Sequence, residues 1–161
     1  MTLFLPTAIH KRITDIKIET LENLKIEALL LDVDNTLSTH HGTVLVEGLT
    51  DWLRLMQDNG YKIIIVSNSK RFRIEPFAKR INLPFISLAC KPLPFGYRKA
   101  VKELGVKKQN CAIIGDQIFT DVLGAKFYKI KSLLVRPIKE ETGLSFRIRR
   151  YFEKKILKEN Y

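Results

Sequence analysis

The sequence predicts an α/β fold: a doubly wound, mainly parallel five-stranded sheet with helices on both faces. Three observations predict it. Short runs rich in Ile, Val and Leu recur with little polar alternation, as strands covered on both faces read. Amphipathic segments of helical period separate these runs. Polar residues capable of chemistry follow several of the runs, where an open parallel sheet binds its ligands.

The elements follow in order. The first strand is Ala28–Val33, inside LLLDVDNTLS. Gly48–Asn59 reads as a helix, because Leu49, Trp52, Leu53 and Met56 recur at helical spacing and Gly60 supplies a stop. Lys62–Val66 is the second strand. Lys70–Arg80 reads as a helix carrying Phe72, Phe77 and Ala78, with Pro76 tolerable near a first turn. Phe85–Ser87 is the third strand. Pro94–Leu104 is a helix with Tyr97, Ala100, Val101 and Leu104, closed by Gly105. Ala112–Gly115, a shorter helix over Gln117–Phe127 and Ser132–Val135 complete the pattern. Such alternation implies right-handed crossovers.

Residues 1–161 read as one domain. It has an N-terminal arm, residues 1–27, with a short helix near Thr20–Leu24. The tail SFRIRRYFEKKILKENY reads as a basic helix over about 145–158, with Ile148, Phe152 and Ile156 on one face. Arg147, Arg149, Arg150, Lys154, Lys155 and Lys158 stand there against Glu153 and Glu159. Two readings stay open: the helix packs its apolar stripe on the domain, or it meets an anionic surface.

The chain has 28 Lys and Arg against 17 Asp and Glu, a net charge of +11. That points to an anionic partner: nucleic acid, an acidic membrane surface or a phosphorylated substrate. No apolar run approaches the ~20 residues of a bilayer span. The start, MTLFLPTAIHKR, lacks the apolar length and cleavage site of a secretory signal, so a cytoplasmic protein is expected. Cys90 and Cys111 form no close metal-type pair and are expected to be reduced core thiols.

The chemistry lies at the strand ends. Asp32 and Asp34 close the first run, Ser67 and Asn68 follow IIIV, Cys90 and Lys91 follow the third strand, and Asp116 and Asp121 follow AIIG. In a parallel sheet these ends converge. Several carboxylates in one cleft cannot all stay ionised without a cation. Oxygen ligands suit Mg2+. A cation flanked by Ser, Asn and Lys can hold a phosphate. One carboxylate can then attack phosphorus, while a second, two residues on, protonates the leaving oxygen and later activates water. A calcium loop fails on spacing, since its glycine and glutamate positions would hold Leu37 and Thr43.

These residues resemble the haloacid dehalogenase (HAD) superfamily of phosphohydrolases. LLLDVDNTL is similar to its first motif, IIIVSNS to its second, ACKPLP to its third and GDQIFTD to its fourth. The resemblance implies a Rossmann-like sheet with Asp32 as nucleophile and Asp34 as general acid/base. It implies Mg2+ bound by Asp32, the Asp34 carbonyl oxygen and Asp116, with Asp121 supporting its water shell. Ser67 and Lys91 would hold the phosphoryl group. Within the superfamily, the chain resembles the subclass IIIA proteins of the YqeG type, which are similar to phosphatidylglycerophosphate phosphatases. VSNSKRFRIEPFAKRINLPF, KPLPFGYRKA and IGDQIFTDVLGAK carry that likeness.

Family members commonly insert a cap domain after the first or second motif. Leu37–Gly48 has room for a short flap, and the stretch from Ser67 to Lys91 is filled by a helix and a strand, so no cap is expected. An open site suits a large or surface-presented substrate; it also leaves room for a lid from a second copy. Lys70, Arg71 and Arg73 follow Ser67 directly, which makes Arg71 and Arg73 candidates for substrate contact. The expected activity is hydrolysis of phosphatidylglycerophosphate to phosphatidylglycerol, with peripheral docking at the inner face of the membrane. Two alternatives remain: a phosphatase of a soluble nucleotide or sugar phosphate, and a basic protein that binds RNA or ribosomes with a secondary phosphatase site. His10, His40 and His41 read as surface polar groups outside the site.

Overall fold

The computed structural model describes residues 2–39, 44–139 and 143–157. The His40–His41 pair and Lys158 and Glu159 of the expected tail helix lie outside the described residues.

Six strands form one sheet: β1 Ala8–His10, β2 Ala28–Leu31, β3 Lys62–Val66, β4 Phe85–Ile86, β5 Cys111–Gly115 and β6 Lys131–Val135. Their order is β1-β6-β5-β2-β3-β4, and every pairing is parallel. β2 pairs with both β3 and β5, so the chain reverses its direction of travel across the sheet around β2. The expected count of five strands is corrected to six. The extra one, β1, is a three-residue edge strand that pairs with β6. It carries no periodic signal, because its local sequence is short and half-exposed and its register is set by β6 rather than by its own pattern.

Among the described residues five α-helices lie between strands, α1 Ile18–Asn23, α2 Leu49–Asp58, α3 Arg71–Arg80, α4 Phe95–Leu104 and α5 Leu123–Tyr128, and α6 Leu144–Ile156 follows β6. Side chains along β2 alternate between two apolar layers. Leu29 and Leu31 pack with Trp52 and Met56 of α2 and Ile74 of α3, while Ala28 and Leu30 pack with Tyr97 and Ala100 of α4 and Ala125 of α5. Both faces being buried, β2 has no polar alternation to show. Each fully buried leucine contributes about 2 kcal/mol of transfer free energy.

The first 27 residues feed the α2 layer with Ile13, Ile16 and Leu21, and Trp52 donates its indole N–H to the Ile16 carbonyl at 2.9 Å. Gly48 precedes α2 in the left-handed region at φ 75°, and Gly105 ends α4 the same way at φ 63°. Pro76 sits in the second turn of α3 rather than the first. The segment expected as one helix over Gln117–Phe127 divides into a wide π-type turn, Ile118–Val122, and α5. Cys111 is buried as expected, but Cys90 is exposed. It lies in a loop where Leu88 and Cys90 both take left-handed conformations, at φ 48° and 58°, which turns its thiol away from the core.

Candidate active site

The order β5-β2-β3 sets three strand ends side by side. Asp32 follows β2, Ser67 follows β3 and Asp116 follows β5. The Asp32 N–H still donates to the Ile114 carbonyl at 2.9 Å, so this carboxylate leaves from the last rung of the sheet. Ser67 is held likewise, its N–H donating to Ile86 at 2.9 Å.

Lys91 arrives from the loop between β4 and α4. Asn68 fixes that loop with both ends of its amide. Its Nδ2 donates to the Lys91 carbonyl at 3.0 Å, and its Oδ1 accepts the Lys91 N–H at 2.7 Å. The lysine stem is thereby directed inward, with 2% of its side chain exposed. Its Nζ donates to Asp32 Oδ1 at 2.6 Å and to Asp121 Oδ1 at 2.7 Å.

Asp121 comes from the wide turn after β5. A Cβ on Gly115 would lie 2.2 Å from Asp121 Oδ2, so glycine at the strand end is what admits this carboxylate. Tyr97, fully buried in α4, supports the turn by donating its hydroxyl to the Thr120 carbonyl at 3.0 Å.

Ligand oxygens of Asp32, Asp116 and Asp121 all lie within 4.8 Å of one another, and all three residues are buried. Burial pushes the Asp32 carboxyl up to about 7; the Lys91 ammonium opposes the shift, and the charges of Asp121 and Asp34 add to it. Asp116 is also raised, by burial first, with Arg150 opposing and Asp32 and Asp121 adding. Burial pulls the Lys91 ammonium down, but Asp121 and Asp32 outweigh it and hold it above the ordinary lysine value. Asp116 Oδ1 is buried without a hydrogen-bond partner among the described residues. A buried orphan acceptor is costly. Surplus negative charge, clustered oxygens and an unpartnered acceptor fit a divalent cation.

Asp34 stands outside this cluster. It accepts a hydrogen bond from Arg73 Nη2, and Arg73 Nη1 donates to Ser69 Oγ at 2.8 Å. Arg71 pairs with Glu75 along its own helix at 3.1 Å and lies over the Phe85 ring, 5.3 Å from its centroid. Ser67 Oγ accepts the Ser69 N–H at 3.1 Å.

A family model described as haloacid dehalogenase-like hydrolase matches residues 5–127. The chain belongs to that family. Over 154 residues it is 34% identical to a Bacillus subtilis (strain 168) protein named "Probable phosphatase YqeG", covering 96% of this chain and 90% of that one. Among solved structures, an uncharacterized protein from Listeria monocytogenes serotype 4b aligns with a TM-score of 0.61 and 16% identity over 73% of this chain and 85% of that one. A HAD family hydrolase from Deinococcus radiodurans R1, with bound phosphate and sodium, aligns with a TM-score of 0.58 and 15% identity over 84% of this chain and 97% of that one. These two structures share its fold. The chain is an enzyme, a phosphatase of the haloacid dehalogenase-like family.

One contact on the site of this HAD-like enzyme comes from beyond the matched region. Arg150 of α6 donates through Nη2 to Asp116 Oδ2 and through Nη1 to the Asp116 carbonyl at 2.7 Å. Glu153 accepts from Arg150 at 2.8 Å and from the Ile118 N–H at 2.8 Å. Sequence reasoning took Arg150 as one basic residue of the tail among six. A signal was there: Glu153 lies three residues on, an acid amid bases, at the spacing that shares a helix face. The apolar stripe expected to pack does so only in part. Ile156 packs by Ile118, Val122 and Leu134, but Ile148 and Phe152 are 51% and 49% exposed. The docked face is instead Arg150, Glu153 and Ile156. A buried Glu153 and a half-buried Arg150, both with partners to satisfy, orient the helix more strictly than a scattered stripe does.

Proposed function

We propose that this phosphatase is a Mg2+-dependent phosphomonoesterase acting through an aspartyl phosphate on Asp32, and that it dephosphorylates phosphatidylglycerophosphate. The convergence of Asp32, Asp116 and Asp121 around Lys91 carries the chemical part. Asp32, Asp116, Asp121 and the Asp34 backbone carbonyl would hold the cation. Bound there, Mg2+ would neutralise the oxygens of the phosphoryl group.

The residues divide the work. An Asp32 oxygen attacks phosphorus, and the bond from phosphorus to the leaving oxygen breaks. Asp34 gives that oxygen its proton and then takes one from water. The resulting hydroxide attacks the phosphoryl group, releasing inorganic phosphate and restoring the Asp32 carboxylate. Ser67 Oγ accepts from Ser69, which leaves its hydroxyl hydrogen for a phosphoryl oxygen. Lys91 supplies fixed positive charge. Arg73 orients Asp34. Asn68 acts at one remove, by fixing the Lys91 loop.

A cavity of about 400 Å³ supports the substrate assignment. Thr36, two residues beyond Asp34 in the chain, is among its lining residues, which supports taking it as the leaving-group pocket. Lys11, Arg12 and Arg136 line it against one carboxylate, Glu47, and Leu45 and Ile138 give it apolar wall. Thr36 Oγ1 is buried without a hydrogen-bond partner among the described residues. Such a lining suits a leaving alcohol that carries a second anionic group and an apolar part. After Asp34, Ser38 bridges to Asp34 and to Leu45, and α3 and β4 fill the stretch from Ser67 to Lys91. Both features support a capless, open site.

Asp32→Asn is expected to lower turnover of p-nitrophenyl phosphate and of phosphatidylglycerophosphate micelles by on the order of 1,000-fold or more. Full activity in that variant would sink the mechanism. Wild-type preference for a soluble nucleotide or sugar phosphate over the micelles would overturn the lipid assignment and leave the chemistry standing.

A further inference from the structure

We infer that the C-terminal helix is part of the cation site, and that Arg150 is a positioning residue that aims Asp116 at the ion. This rests on the cation reading above. The two oxygens of Asp116 have different surroundings. Oδ2 accepts from Arg150 Nη2, while Oδ1 is buried and has no partner among the described residues. Arg150 also holds the Asp116 main-chain carbonyl at 2.7 Å. A guanidinium gripping the side chain and backbone of one residue fixes its rotamer. Oδ1 is thereby left available to a cation, and an oxygen of the Asp116 carboxylate lies within 4.8 Å of oxygens of Asp32 and Asp121.

A bare guanidinium beside a cation site would weaken binding by repulsion. Arg150 does not arrive bare. Its Nη1 donates to Glu153 Oε2 at 2.8 Å, and Glu153 Oε1 accepts the Ile118 N–H at 2.8 Å. The pair is close to neutral, and it holds the chain on both sides of Gln117. Ile156 and Leu157 seat the same helix on Ile118, Val122 and Leu134. The contribution to the ion is therefore geometric rather than electrostatic. The two effects have opposite signs: loss of a repelling charge tightens cation binding, whereas loss of a positioning contact loosens it.

Mn2+ titration of the full chain, followed by electron paramagnetic resonance without substrate, reads that sign. Arg150→Ala should weaken Mn2+ binding by roughly 10- to 100-fold, the usual cost of losing a group that orients a metal ligand. Arg150→Lys, which keeps the charge and loses the fork, should weaken it by a smaller factor. The double variant Arg150→Ala, Glu153→Ala removes a neutral pair and should match Arg150→Ala. Titrations run well below each variant's melting temperature, so lost stability alone leaves the affinity unmoved; Arg150→Lys decides the matter if the alanine variants unfold. Unchanged or tighter Mn2+ binding in the variants overturns the role of Arg150. A wild type that binds no Mn2+ removes the cation reading and this inference with it.

Discussion

Lys91 places an ammonium group among carboxylates with 2% of its side chain in contact with solvent. Its hydrogen bonds to Asp32 and Asp121 compensate a desolvation that neither sign of charge could bear alone. Two consequences follow. The lysine belongs to the stability of the fold as much as to the phosphate binding proposed for it. Its removal leaves buried carboxylates without their partner, which is the costly half of a broken ion pair. Lys91→Met should destabilise the metal-free protein by about 3 to 5 kcal/mol, measured by urea unfolding in the presence of a chelator. Added Mg2+ should restore part of the loss, since the ion binds the folded state. A variant as stable as wild type in chelator would show that the carboxylates are compensated in some other way.

At the scale of elements, the wide turn after β5 decides where the fourth motif delivers its acid. Gly115 lets the Asp121 carboxylate lie against the strand end, and the Tyr97 hydroxyl holds the turn at Thr120. Gly115→Ala would set a methyl group 2.2 Å from Asp121 Oδ2. The carboxylate must then move, at a cost of about 1 to 3 kcal/mol, and Mg2+ should stabilise this variant less than wild type in a thermal melt. Equal stabilisation would show that Asp121 is not needed where it lies. This level also explains what could be read in advance. The strands β2 to β6 and the strand-end acids were legible because apolar runs and the residues after them are local features. β1 was not, since a three-residue edge strand exists only through its neighbour β6. The docked face of α6 was not, since Arg150 and Glu153 look solvated until their partners across the fold are known. The exposure of Cys90 depends on two left-handed residues that no propensity announces.

At the scale of the molecule, exposed apolar side chains stand on the same elements that carry site residues. Phe72, Leu88, Leu93 and Phe95 are exposed on α3 and along the loop that delivers Lys91. Leu88 donates its N–H to the Ser69 carbonyl at 3.0 Å, which ties this group to the second motif. Ile148, Tyr151 and Phe152 are exposed on α6, the helix that touches Asp116. Basic residues are interspersed with both sets, within a net charge of +11. Among the described residues no helix is long and apolar enough to cross a membrane. On the proposed lipid reading, this basic and apolar surface is the candidate for contact with a bilayer. Each basic residue near an anionic bilayer contributes about 1 kcal/mol, and the attraction is screened over a Debye length of ~10 Å at 0.1 M salt. Binding to vesicles rich in phosphatidylglycerol should therefore fall on the order of 10-fold or more between 50 and 500 mM salt. Hydrolysis of p-nitrophenyl phosphate should change far less, because that soluble ester needs no contact with a bilayer. Co-sedimentation with anionic and zwitterionic vesicles across that salt range checks the expectation. Equal, salt-insensitive binding to both would show that apolar contact rather than charge holds the protein on a bilayer, and no binding to either would count against the proposed lipid substrate.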